Sequence, residues 1–533
     1  MWNWCPPRKG QASLLASDPV AGAPAGTALA GELVTFTRRH SRAYNRTQTS
    51  VGDAFADIYT SLVALGCAAA IAVSFVGGLR DEMTRDNSMA ASLVAGSPLV
   101  LPAPLLWTLL TYGGLAAILT VARRLGPIAV TGAQGAWWLP LPLDRRPMVL
   151  PTFRRRMVSV GLGATLGYVP FSIVTDLAVD VAEHALAAAT FGAASVAVLG
   201  IAGLLQLGLV APRPGRAAAL LALAPLALLP GMAAAGWPLA AAVLAGVVVL
   251  VPLLRRAGQV TATELVRGGN VSGHAASAVF FLDTNELLRS MAGTPRPAAG
   301  SRARRFYARM TPGPFAGLVR ADVTAFLRLQ PLLAVPLLWL AACLAVVVAD
   351  AGLPAWLQLI FLLVAGCGVA SGMGTVARRT ALLPELDALL PLPRAAVRSS
   401  RLLMPALALA AWMTLLTGAL ALLGAGGPLL PAIGALAGIG MGAGCLRGAT
   451  RPPADWTLPP VDTPMGPVPR AQLSSLLRGL DVTVLSMLPA GIALFVGQAL
   501  PVLVMVQAAV SLAAVLVVLL SGTKPASGGS SRS

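Results

Sequence analysis

The chain reads as an all-α polytopic membrane protein, with about 12 transmembrane helices arranged as two parallel six-helix repeats and both termini cytoplasmic. Three observations predict this. Hydrophobic residues make up 56% of the 533 and charged residues only 11%, where a soluble domain carries about 25% charge. The apolar runs approach the roughly 20 residues that an α-helix needs to cross a bilayer, and they are continuous rather than alternating, which favours helices over barrel strands. The peptide Thr-Val-Ala-Arg-Arg occurs twice, at Thr120–Arg124 and Thr375–Arg379, and each copy closes an apolar run and is followed by Leu-Pro-Leu-Pro, at Leu139–Pro142 and Leu390–Pro393. Two peptides recurring in the same order and setting point to one membrane unit used twice.

In chain order, residues 1–56 are polar and rich in Ala, Gly and Pro and read as a cytoplasmic tail. They carry no secretory signal, because the first strong apolar run starts near Tyr59. The first six-helix half, 57–254, has candidate spans at 59–79, 99–121, 157–179, 186–209, 217–234 and 237–254. A cytoplasmic linker follows at 255–330. Within it, Gly273–Met291 has amphipathic helical spacing, with Val279, Phe280, Leu282, Leu287 and Leu288 near one face. Residues 292–301 read as a Pro/Gly linker, and Arg302, Arg304, Arg305 and Arg309 with Phe306 and Tyr307 suit a membrane surface. Leu318–Pro331 reads as an interfacial elbow helix leading into the second half, 331–520. That half has candidate spans at 331–349, 353–374, 402–424, 428–446, 482–499 and 501–520, and 521–533 reads as a disordered Ser/Gly tail. Ala56-Asp57-Ile58 and Ala321-Asp322-Val323 precede the first span of each half, a third match in register with the other two. An even number of spans per half makes the repeats parallel.

The net charge is +18, but its placement argues against nucleic acid. With the N-terminus inside, all of the 39 Lys and Arg residues except Arg80 and Arg85 fall in inner loops or tails, as the positive-inside rule requires. Such residues set orientation and meet anionic lipid heads; no soluble domain is present to carry a nucleic-acid patch. Lysine occurs only at Lys9 and Lys524 amid abundant Ala and Gly, a composition that fits a GC-rich bacterial genome and hence a bacterial plasma membrane. Cys5, Cys67, Cys343, Cys367 and Cys445 form no CxxC pair, so neither zinc nor a disulfide framework is expected. His40, His184 and His274 are not spaced as metal ligands. Neither lysine lies in a phosphate-binding loop and no Gly-x-Ser-x-Gly elbow occurs. The expectation is therefore a chain with no cofactor, no metal and no enzymatic activity of its own, whose ATP hydrolysis, if any, resides on a separate polypeptide.

The charged cluster nearest membrane depth is Asp176, Asp180, Glu183 and His184, whose spacing fits one helical face. Inside a span, Asp176 and Asp180 become candidates for an ion, a proton or a basic substrate group. If the third span ends near Thr175, the cluster stands in outer water instead, and both readings stand. Asp81-Glu82 in the first outer loop is similar to the acidic pair of lipid-linked glycosyltransferases, although those enzymes have long outer loops and these are short.

Taken together, the repeated peptides and their setting resemble an ABC-2-type exporter permease. The units of that family have six spans, an interfacial elbow, and a cytoplasmic loop between the second and third spans that holds a coupling helix for the ATPase subunit. The matching residues here are Leu139-Pro140-Leu141-Pro142-Leu143-Asp144-Arg145-Arg146 and Leu390-Pro391-Leu392-Pro393-Arg394, with Val319–Pro331 as the elbow junction. The resemblance implies separate ABC ATPase subunits as partners, docking on inner loops 122–156 and 375–401, beside the lipid bilayer itself. Prolines stiffen such a loop, and Arg145, Arg146, Arg154, Arg155 and Arg156 could pair with acidic groups of a partner or simply enforce topology. The chain departs from the family in fusing two units, in lacking a large outer loop, and in having no well-defined elbow in its first half. An ion-coupled secondary transporter of six plus six helices is the alternative, although Leu143-Asp144-Arg145-Arg146-Pro147 lacks the glycines of the major facilitator signature. A non-transporting membrane scaffold or immunity protein is a third class.

Overall fold

The computed structural model describes residues 24–48, 50–84, 93–94, 99–175, 180–208, 236–291, 312–329, 334–350, 352–451, 459–463 and 466–520. Among them, eight helices are long and apolar enough to cross a membrane. The protein is an all-α polytopic membrane protein; among the described residues the strands are two pairs of two or three residues each. It forms two compact units, residues 1–85 with 104–274 and residues 86–103 with 275–533.

The first unit contains α1 (Pro24–Gln48), α2 (Val51–Thr84), α3 (Ala103–Leu125), α4 (Gly132–Trp137), α5 (Arg146–Thr175), α6 (Val181–Gln206), α7 (Trp237–Arg256), a 3-10 turn at Ala257–Gln259 and most of α8 (Ala262–Phe280). Its centre is α6, whose Ala188, Ala194, Val198 and Ala202 are fully or almost fully buried. Glycines let the neighbours come close. A methyl group on Gly192 would strike Thr165 of α5, and one on Gly203 would lie 2.6 Å from Leu253 of α7. Where the surroundings are as apolar as the side chains, helices associate through such close van der Waals packing rather than through exclusion of water. Tyr168 stacks on Phe191 at 4.5 Å, meets Phe171 at 5.2 Å, and its hydroxyl lies 3.3 Å from that of Thr111.

The second unit contains β1 (Leu101–Pro102), α9 (Thr284–Met291), α10 (Pro314–Leu329), α11 (Ala334–Val348), β2 (Ala349–Asp350), α12 (Ala355–Met373), α13 (Thr375–Thr380), α14 (Pro384–Ala388), α15 (Arg394–Leu422), α16 (Leu430–Ala449), β3 (Val461–Thr463), β4 (Gly466–Val468), α17 (Arg470–Leu477), α18 (Leu480–Val496) and α19 (Pro501–Leu520). β1 pairs in parallel with β2, and β3 pairs with β4 in an antiparallel hairpin. Here α16 is the centre, with two glycine faces. Gly434, Gly438 and Gly442 meet Met413, Ala410 and Ala406 of α15, while Gly440 and Gly444 meet Ser486 and Thr483 of α18. Polar groups close the junction with α19. Gln507, fully buried, donates to the Ser486 carbonyl at 3.0 Å and to Ser511 Oγ at 3.0 Å, and Ser511 donates to the Leu436 carbonyl at 2.7 Å.

Several expectations change. The tail 1–56 holds a 25-residue helix, α1, and the start of α2. α2 runs unbroken for 34 residues through the region expected to give only the span 59–79, whose more apolar part is Ala69–Leu79. The third span starts at Arg146 rather than 157, because the helix continues through the basic residues preceding it. The amphipathic stretch Gly273–Met291 is two helices, not one. The chain reverses at Leu282, the one described non-glycine residue with positive φ (53°), and the Asp283 N–H bonds back to the Ala278 carbonyl at 2.7 Å, a Schellman closure of the kind glycine normally makes. The elbow is a helix from Pro314 to Leu329, and together with α11 it is bent by 65°. The expected span 217–234, the residues 292–301, the basic group Arg302–Arg309, Pro331 and the tail 521–533 lie outside the described residues.

If close backbone approach at α16 holds the second unit together, Gly438→Ala should cost about 1–3 kcal/mol through overpacking. Gly418→Ala, where a methyl group meets nothing within 4 Å, should be neutral or slightly stabilising by the gain in helix propensity. Thermal unfolding of the detergent-solubilised chain distinguishes the two; equal midpoints would refute the assignment.

Candidate functional site

The two units build related but not identical local structures around their repeated peptides. In the first, Thr120–Arg124 lies in the last turns of α3. Gly126, with φ of 68°, ends that helix, as a left-handed glycine does after a helix C-terminus. The chain then sinks: residues 126–130 are all buried. A backbone with no strand partner over this stretch must find hydrogen bonds elsewhere, and side chains supply them. Gln206, at the end of α6, donates to the Ile128 carbonyl at 2.8 Å and accepts from the Ile128 N–H at 3.1 Å. Arg156 of α5 donates to the Gly126 carbonyl at 2.6 Å and to Ser272 Oγ of α8 at 2.8 Å. A methyl group on Gly269 of α8 would collide with the Val130 carbonyl.

Thr131 then starts α4 with a capping box shared with Gln134. Leu-Pro-Leu-Pro follows after Trp138, and Leu143 N–H bonds to the Leu141 carbonyl at 2.8 Å, a γ-turn centred on Pro142. Asp144 caps the Arg146 N–H at 2.9 Å, opening α5. Leu139 is buried, Pro140, Leu141, Pro142 and Arg146 are exposed, and Asp144 and Arg145 are half-buried.

In the second unit Gly374 ends α12, and Thr375–Arg379 forms its own short helix, α13. α14 follows, then Leu389, then Leu-Pro-Leu-Pro. Leu392 N–H bonds to the Leu390 carbonyl at 2.8 Å, a γ-turn centred on Pro391. Pro393 is the N-cap residue of α15. Leu390 and Leu392 are half-buried, and Pro391, Pro393 and Arg394 are exposed. Helix end, short helix (α4 or α14), one connecting residue, Leu-Pro γ-turn and long helix thus recur in order, but the second unit inserts α13 before its short helix, and its γ-turn sits two residues earlier within the tetrapeptide. Large apolar side chains stand in the open at both short helices: Trp137, the last residue of α4, is 76% exposed, Leu386 of α14 is exposed, and Leu389 just past α14 is 79% exposed, with Leu382 and Leu383 exposed before it.

Arg378 of the repeated peptide and two residues that sequence reasoning did not single out, Asn285 and Arg451, lock the second loop to its unit. Arg378, 5% exposed, donates through Nε to Asn285 Oδ1 at 2.8 Å and through Nη2 to the Ser371 carbonyl at 2.6 Å. Asn285 of α9 in turn donates to the Gly448 and Ala449 carbonyls at the end of α16. Arg451 grips Asp283 and the Ser475 carbonyl, and Ser475 donates to the Leu282 carbonyl at 2.9 Å, which fixes the reversed turn described above. Burial lowers the pKa of the Arg378 guanidinium, and burial likewise lowers that of Arg451 while Asp283 opposes the shift.

A buried ion pair ties the elbow to this loop. Asp322 of α10 is 4% exposed and accepts from Arg401 of α15 and from Ser400 Oγ at 2.6 Å. Arg401 also reaches Asp387 of α14 at 3.1 Å, although burial raises the Asp387 carboxyl above the usual carboxylate range. An apolar cavity of about 370 Å³ lies among α12, α15 and α18, lined by Leu363, Met413, Leu416, Thr417, Met487 and Phe495.

Of the acidic cluster, Asp176 lies outside the described residues, and Asp180 is the exposed N-cap residue of α6, with extended backbone, so it does not continue into the helix that carries Glu183 and His184. Only Glu183 and His184 lie on α6 itself; His184 is buried, and its Nε2 has no hydrogen-bond partner. Among the described residues no group of three His, Cys, Asp or Glu side chains could hold a metal.

The profile of a protein family, described as "Family of unknown function (DUF6297)", matches residues 101–459. No curated protein and no solved structure matches the chain.

Arg401→Met should cost about 3–5 kcal/mol, because it leaves Asp322 buried without a counter-charge, and adding Asp322→Leu should recover most of that loss. Thermal unfolding of the two variants checks this, and a double variant as unstable as the single would refute the pairing.

Proposed function

The chain belongs to the DUF6297 family, and we propose that it is the membrane-spanning permease subunit of an ABC transporter, an exporter, driven by separate ATP-binding subunits. In this reading the described helices belong to a set of twelve spans arranged as two parallel six-helix repeats in a bacterial plasma membrane, with both termini and the two Leu-Pro loops in the cytoplasm. The observation that carries it is the recurrence in both units of one local order: helix end, short helix with exposed apolar side chains, Leu-Pro γ-turn, long helix. A loop that only connects two spans needs neither a stiff turn nor an exposed Trp137 or Leu389. A loop that meets a soluble partner has use for both, because an aromatic anchor such as Trp137 can carry much of an interface's energy while apolar contacts around it exclude water.

The same position in each half holds the most buried helix, α6 in one and α16 in the other, each 67% buried over its apolar window. Each loop is hydrogen-bonded to the end of that helix, through Gln206 in the first unit and through Arg378 and Asn285 in the second. ATP-driven closure of the partner subunits would therefore move the loops, and the loops would carry the movement to the central helices as a rigid-body shift. The apolar cavity of the second unit suits an apolar or amphiphilic cargo.

The test is co-purification of the tagged full chain from its native host in mild detergent. A stoichiometric P-loop ATPase is expected, and it should be lost when Leu139–Pro142 and Leu390–Pro393 are replaced by Gly/Ser segments. A folded chain with no ATPase partner would overturn the reading and direct attention to ion-coupled transport through Asp176.

A further inference from the structure

α1 has a division of faces that its place in the expected tail gave no reason to look for. Ala30 and Val34, both buried, pack on Met148 with Leu33, Trp138 and Leu143. The helix therefore grips the start of α5 and the residues flanking the first Leu-Pro turn. Its second half extends beyond this contact, and there the side chains sort by period. Phe36, His40 and Tyr44, at i, i+4 and i+8, share one exposed face, with the His40 ring 3.9 Å from that of Phe36 and its Nδ1 3.0 Å from the Phe36 carbonyl. Arg38, Arg42 and Arg46 share another, joined by Arg39, and all four are exposed. The acid of α1 is Glu32, two turns away toward its N-terminus. Among the described residues, none of these four arginines is held in an ion pair.

A helix with aromatic side chains on one face and unpaired guanidinium groups on the other has the chemistry of a membrane-surface helix. The charge selects an anionic surface, and one lies within reach. α2, with its apolar stretch Ala69–Leu79, starts three residues after α1 ends. We propose that α1 lies on the anionic leaflet of the bilayer, with Arg38, Arg39, Arg42 and Arg46 on lipid phosphates and Phe36 and Tyr44 at the acyl boundary, and so braces the first Leu-Pro turn against the membrane. The proposal rests only on the chain being embedded in a membrane and stands independently of the permease reading. It gives the turn a lipid-dependent support: where the leaflet lacks anionic lipid, the second half of α1 loses its surface, while the grip of Ala30 and Val34 on Met148 remains.

Hydrogen–deuterium exchange of the full chain tests it, in nanodiscs of phosphatidylcholine alone and of phosphatidylcholine with one third phosphatidylglycerol. Slower exchange of peptides covering 36–48 is expected in the anionic discs, eroding as salt is raised. Each arginine at an anionic surface is worth about fivefold in binding. The triple variant Arg38→Gln, Arg42→Gln, Arg46→Gln should thus lose on the order of a hundredfold and exchange alike in both discs, with peptides from α6 protected as before, showing that the unit is folded. Equal exchange of 36–48 of the unaltered chain in the two lipids would overturn the proposal. So would protection that appears only when a soluble protein partner is added, which would assign the arginines to an acidic protein surface.

Discussion

The structure depends on how closely backbones approach the central helix of each unit. Among helices surrounded by lipid, burying apolar surface gains little, because the lipid is as apolar as the side chains, and stability must come from contact density and from hydrogen bonds. α16 meets this demand by removing side chains from two faces at once, so that α15 and α18 pack on its backbone. α6 does the same more sparingly, with Gly192 toward α5 and Gly200 and Gly203 toward α7. Side chains on the neighbours then fill the space the glycines leave, among them Leu253 against Gly203, Val249 against Gly200 and Thr417 against Gly434.

The loops are organised by a different economy, that of buried polar groups. A buried chain segment must have its N–H and C=O groups met, and the Gly126–Val130 segment recruits Gln206 and Arg156 for this. The second loop has less buried backbone and uses side-chain pairs instead: Arg378 with Asn285, Arg451 with Asp283, Arg401 with Asp322. The two solutions differ in residues, but each ties its loop to the end of the central helix, through Gln206 in one and through Arg378 and Asn285 in the other. Stiff turns, buried anchors and exposed apolar tips together distinguish each loop from a plain connection between two helices.

Much of this was legible in the sequence, and what was not has physical reasons. Apolar run length announces membrane helices, because crossing lipid imposes a length and forbids charge. The repeated peptides announced the loops, since nothing about membrane insertion calls for paired prolines. The split of Gly273–Met291 was hidden because the reversing residue is Leu282, and leucine carries no turn signal; the turn is imposed by tertiary contacts from Ser475 and Arg451. Gln206, Asn285 and Arg401 were missed for the same reason: each works through a partner more than 70 residues away or on another helix. Asp322 had been noticed as part of a weak repeat, without any sign that it would be buried. Spacing alone could not place the acidic cluster, since periodicity puts residues on one face only if a single helix contains them all, and the extended Asp180 opens a new helix.

The glycine faces of α16 also bear on how the protein is made. This helix has the lowest hydropathy of the eight membrane-crossing candidates, 1.3 against 1.6 to 2.7 for the others. Glycine adds the largest loss of backbone freedom of any residue. A segment so poor in side chains gains little from entering lipid alone, and gains most once α15 and α18 stand on either side. Biogenesis of the second unit is thereby made cooperative: α16 becomes stable in the bilayer as part of a hairpin with α15, and the segment synthesised after it completes a site that the earlier one only half encloses.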